Sequence, residues 1–79
     1  MGEEWKEISF EDACRATMPF TADYKGKTLK EIGNTDKGLK DLDRLIGWME
    51  EKKQTWGIYP FVVRYMSEPH IKKELDALL

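Results

Sequence analysis

Cysteine and histidine are almost absent from this chain of 79 residues: Cys14 and His70 each stand alone. One thiol closes no internal disulfide, and one thiol with one imidazole falls short of a structural zinc set. Cys14 therefore reads as a small, reduced, buried hydrophobe. His70 has no sequence-adjacent partner for acid–base work. Long apolar runs are missing as well. None approaches the roughly 18 residues needed to cross a bilayer, and no signal-peptide core is visible. The six glycines form neither a phosphate-binding loop nor a dinucleotide fingerprint. Carboxylates are plentiful, but a pair such as Asp41 and Asp43 points in different directions on a helix. The expectation is a soluble cytoplasmic protein that is not an enzyme, with no catalytic residue, metal, cofactor, membrane contact or small-molecule substrate.

What is present suits one small domain over residues 1–79, with 1–8 as a frayed lead-in. Hydrophobic residues make up 41% and charged residues 35%, a globular balance rather than a disordered one. Three Trp, three Tyr and three Phe supply large side chains to a core that a chain this short must build efficiently. The formal net charge of −2 is unevenly spread. Residues 1–24 are acidic, whereas residues 25–40 hold five lysines against Glu31 and Asp36. That basic block starts at Tyr24. A mildly acidic whole argues against tight nonspecific binding to phosphates but leaves room for a local contact.

Helix signals are spread along the chain. Ser9 followed by Phe10-Glu11-Asp12 reads as an N-cap and an acidic first turn, giving a short helix to Arg15 or Ala16. Leu29–Ile32 reads as one helical turn stopped by Gly33-Asn34. Thr35 or Asp36 caps the strongest helix, where Leu39, Leu42, Leu45, Ile46 and Met49 recur at helical spacing. Gly38 and Gly47 each weaken it by about 1 kcal/mol relative to alanine. Gly47 is a candidate for close approach of another element, and Trp48 for the core or its rim. Tyr59-Pro60 starts a further helix with Phe61, Val62, Tyr65 and Met66 on its apolar face. After Ser67-Glu68-Pro69, a last helix carries Ile71, Leu75, Leu78 and Leu79.

Between the first two helices, Thr17–Phe20 and Lys27–Leu29 read as short extended segments joined by a turn with Gly26 at its positive-φ position. The fold class expected is α+β, mainly helical, with this β-hairpin packed on three to four helices; all-α is the alternative. The hairpin also holds the candidate site. Tyr24 with Lys25, Gly26, Lys27 and Lys30 combines an aromatic ring with cations, and Arg15 joins if the chain folds back. The plainer reading packs Tyr24 on the central helix and leaves the lysines hydrated.

Met18-Pro19-Phe20 followed by Tyr24-Lys25-Gly26-Lys27-Thr28-Leu29 resembles the hallmark of the C-terminal domain of exodeoxyribonuclease X, a small family found in bacteria and phages. Thr35-Asp36-Lys37-Gly38-Leu39 and Pro69-x-Ile71…Glu74-Leu75 fit its pattern, so the resemblance covers about residues 18–79. Thr21-Ala22-Asp23 departs from it, standing where the family has Gly-Lys. The resemblance implies a non-catalytic accessory module of DNA metabolism, since the catalytic carboxylates of such nucleases lie in another domain. DNA or a nuclease-type protein is the implied partner. The alternative is a protein-interaction module, a phage-type inhibitor or adaptor using an acidic or aromatic surface. Oligomeric state, partner identity and the role of residues 1–17 stay open.

Overall fold

The computed structural model describes residues 4–19, 23–54 and 57–78. After a 3-10 turn at Glu4–Glu7, the helices are α1 (Phe10–Arg15), α2 (Leu29–Gly33), α3 (Asp36–Glu51), α4 (Tyr59–Met66) and α5 (Pro69–Leu78). Their starts follow local chemistry. The Ser9 hydroxyl accepts from the Asp12 amide at 3.1 Å, and the Thr35 hydroxyl accepts from the Gly38 amide at 3.0 Å. Each cap of this kind contributes about 1 kcal/mol. Thr28 does the same for α2, accepting from the Glu31 amide at 3.2 Å while its hydroxyl meets the Glu31 carboxylate at 3.2 Å. Pro60 occupies the first turn of α4, where its missing N–H costs nothing.

The helices close on one core. Ala13 of α1, Leu29 and Ile32 of α2, Leu39, Leu42 and Met49 of α3, Val62 and Tyr65 of α4, and Ile71 and Leu75 of α5 are all buried together. Each large aliphatic side chain so placed contributes about 1.5–3 kcal/mol. Met18, from the segment between α1 and α2, is buried among them and pins that segment to the helices. Two polar ties secure the periphery: Arg64 Nε donates to the Ile8 carbonyl at 2.8 Å, and Tyr59 donates to Glu50 at 2.8 Å. Gly38 is needed for more than its weak helix propensity. A Cβ there would overlap the Ile32 carbonyl oxygen and approach its carbon to 2.7 Å, so glycine lets α3 begin against the end of α2. Gly47 instead faces open space, and Trp48 beside it is 43% exposed rather than core.

The expected hairpin does not form, and the α+β fold class is wrong: the protein is helical, with no sheet among the described residues. What exists is a single antiparallel bridge between Thr17 and Thr28. The Met18 amide donates to the Lys27 carbonyl and the Gly26 amide to the Met18 carbonyl, both at 2.9 Å. The pairing stays short, because α1 and α2 claim both segments at one end of it and the turn through Gly26 closes the other. Ala16 is the C-cap of α1 and Thr28 the N-cap of α2, and Pro19 has no N–H to add. The expected strand's Phe20 lies outside the described residues. No helix among the described residues is long and apolar enough to cross a membrane.

Candidate functional site

Residues 23–27 form a turn held at several points. Besides the two bonds with Met18, the Lys27 amide donates to the Tyr24 carbonyl at 2.9 Å. Gly26 has φ of 85°, the left-handed region where a side chain is strained, and nothing lies within 4 Å of where its Cβ would be. The positive-φ glycine expected at this position is therefore present, at the tip of a loop rather than of a hairpin. Lys25, Gly26 and Lys27 are exposed, and neither lysine forms an ion pair among the described residues.

Tyr24 has a different part. Its hydroxyl donates to Asp41 Oδ2 of α3 at 2.5 Å, and Lys37 Nζ sits 3.2 Å from the same oxygen and 5.7 Å from the tyrosine ring. The three groups adjust one another. The bond to Asp41 holds the phenol above its ordinary value, and burial adds to the rise. The Tyr24 hydroxyl, helped by Lys37, holds the Asp41 carboxyl below its own value. Asp41 in turn raises Lys37. Tyr24 is thus a brace that fastens the turn to α3, and it lines a groove with Met18, Leu42, Leu45 and Trp48.

The two remaining candidates, Arg15 and Lys30, come together on another face. They line one cleft with Phe10, Glu11, Cys14 and Thr28. Arg15 also pairs with Glu11 at 2.7 Å, an exposed contact one helical turn long. Lys30 is exposed and makes no ion pair among the described residues. Cys14, expected to be buried, is half-buried in the wall of this cleft, and desolvation pushes its thiol up, away from the reactive thiolate. Among the described residues, no group of three or more His, Cys, Asp or Glu side chains is placed to hold a metal ion.

Sequence reasoning passed over Tyr65. Its spacing marked it as apolar core, and its ring is buried, 3% exposed, against Phe10. Its hydroxyl, however, reaches a small cleft beside Gly33, Asn34 and Glu74, which no local pattern in the chain announces. No family model matches the chain, and no curated protein or solved structure matches it.

Proposed function

We propose that this chain is a non-catalytic accessory module of DNA metabolism whose Lys25-Gly26-Lys27 turn contacts nucleic-acid phosphates. The observation that carries the reading is a pair of exposed lysines, without an ion pair among the described residues, on a turn fastened by backbone bonds to Met18 and by the Tyr24–Asp41 clasp. A braced turn presents its cations with little ordering cost on binding. Lys30 and Arg15 line a separate cleft that meets the turn at Thr28 and would add to the contact from there, and Tyr24 acts by positioning the turn. The likeness of Met18-Pro19-Phe20 and Tyr24–Leu29 to the exodeoxyribonuclease X domain, interrupted at Thr21-Ala22-Asp23, supports the same direction. With a net charge of −2, the contact is local and salt-sensitive rather than a broad nonspecific grip. Titration of single- and double-stranded DNA at low salt tests it: binding is expected for the native chain and its loss for Lys25→Glu/Lys27→Glu. Silence from the native chain at high micromolar concentration ends the proposal.

A second reading rests on the α3 face, where Trp48 is 43% exposed beside Tyr24 and Leu45. An exposed tryptophan in a groove is an anchor of the kind protein partners use. That reading expects a protein partner whose capture is unaffected by the lysine reversals and lost with Trp48→Ala.

A further inference from the structure

The cleft between α1, α2, α4 and α5 is lined by His70, which lies 3.8 Å from Glu68, and by Lys30, Asn34, Tyr65 and Glu74, whose side chains make no hydrogen bond or ion pair among the described residues. Tyr65 stacks on Phe10 with ring centroids 5.5 Å apart and is 3% exposed, yet its hydroxyl has no hydrogen-bond partner among the described residues. The hydroxyl end lies against Gly33, where an added Cβ would collide with it and come within 2.7 Å of the ring. No buried side-chain polar atom among the described residues lacks a partner, so this hydroxyl keeps access to solvent although its ring is buried. Here the hydroxyl opens onto a cleft of about 180 Å³ lined also by Cys14, Lys30, Asn34, His70 and Glu74. The volume is below the roughly 300–1,000 Å³ of sites for drug-sized ligands, so it suits one small ring and not a whole cofactor.

The chemistry of the lining narrows the occupant. Phosphate alone would meet the Glu74 carboxylate, and an apolar group would leave Tyr65, Asn34 and Glu74 unsatisfied. A nucleobase edge carries donors and acceptors side by side, matching a hydroxyl, an amide and a carboxylate. Phe10 is already engaged by Tyr65, by the Arg64 guanidinium 5.7 Å from its ring and by the edge of His70 at 5.3 Å. Recognition there would therefore work through base edges rather than by stacking on Phe10. The neighbouring cleft shares Phe10, Cys14 and Lys30 and carries Arg15 and Thr28, the residue that follows Lys27 of the basic turn.

We infer that the Tyr65 cleft takes one unstacked nucleobase of a single strand whose phosphates are held by the basic turn and Lys30. This rests on the nucleic-acid reading above. Unpaired bases are the ones whose edges are free for such contacts.

The test compares two single strands with the same number of phosphates, one carrying bases and one built of abasic deoxyribose phosphates. The base-bearing strand is expected to bind the native chain about fivefold or more tightly at one salt concentration. Tyr65→Phe removes only the hydroxyl, and Glu74→Gln alters an exposed side chain with no hydrogen bond or ion pair among the described residues; each should bring that ratio toward one without changing the salt dependence. Equal affinity of the two strands for the native chain overturns the cleft and leaves the phosphate reading standing. A preference that survives both substitutions overturns it too. Failure of both strands to bind at low salt removes both ideas together.

Discussion

Tyr24 and Tyr65 place the same side chain in two regions of the molecule with opposite results. Tyr24 lies on a surface turn, yet its hydroxyl is committed to Asp41 and, through it, to Lys37. Tyr65 lies in the core, yet its hydroxyl is unmet by any described residue and opens onto a cleft. Exposure and availability are therefore separate properties. On the α3 face, polar groups satisfy one another and hold a loop in place. On the face formed by α1, α2 and α5, Lys30, Asn34 and Glu74 surround a phenol without an ion pair or hydrogen bond of their own side chains among the described residues. The first arrangement is scaffold; the second is where unfilled hydrogen-bonding capacity remains.

The contrast can be broken most severely at Gly33. Gly33→Ala would push a methyl into the Tyr65 hydroxyl and ring, and the expected cost is about 1–3 kcal/mol in denaturant unfolding, with the cleft closed. Next in size is Tyr24→Phe, expected to lose about 1 kcal/mol, because the hydroxyl that bridges the turn to α3 disappears. Tyr65→Phe should be smallest, within about 0.5 kcal/mol of the native chain, since no hydrogen bond to a described residue is lost. If Tyr65→Phe cost as much as Tyr24→Phe, the distinction between the two hydroxyls would be wrong.

The same pair of substitutions is sharpened by pH. Asp41 is held below its ordinary value of 3.8, chiefly by the Tyr24 hydroxyl. A depressed carboxyl stabilises the fold above its unfolded value, and that contribution fades as pH falls through the folded one. Tyr24 is raised above 10.0, chiefly by Asp41, so its contribution is full below pH 10.0 and is lost as pH rises through the folded value. The stability gap between the native chain and Tyr24→Phe should therefore be widest at neutral pH and narrow at both extremes. Tyr65 is pushed up to about 12 by burial, with Cys14 and Glu74 adding to the rise. Its neutral form supports the fold below the unfolded value, and that support drains away as pH climbs toward about 12. Tyr65→Phe should accordingly lose less stability than the native chain over that alkaline interval, as followed by circular dichroism.

Much of the helical frame was legible because its signals are local. Ser9 and Thr35 are caps with a hydroxyl in reach of an amide three residues on, and the Leu39–Leu42–Met49 stripe follows from helical spacing alone. Gly26 was readable for the same reason, as a turn residue between two lysines. The hairpin reading failed where two local signals competed. Thr28 has the β-branched side chain of a strand residue and also the hydroxyl of an N-cap, and its position ahead of Leu-Lys-Glu made the cap prevail. The Tyr24–Asp41 clasp joins residues 17 apart, so the partner of the tyrosine hydroxyl lies on the central helix, outside any window around the turn. Gly38 and Gly47 look alike in sequence, but only the first meets another backbone. The Tyr65 cleft was invisible for a related reason: a tyrosine on an apolar helix face gives no sign of where its hydroxyl ends.

The most direct measurement is the salt dependence of binding to a short fluorescent single strand, taken for the native chain and for Lys25→Glu/Lys27→Glu. Each phosphate neutralised on a single strand contributes about −0.7 to the slope of log affinity against log salt. The native chain should give a slope of about −2 to −3, the product of that increment and the three or four cations of the turn, Lys30 and Arg15. The double reversal should abolish measurable binding. A flat salt response, or binding that persists undiminished in the reversed protein, would contradict the assignment of the turn as the phosphate contact.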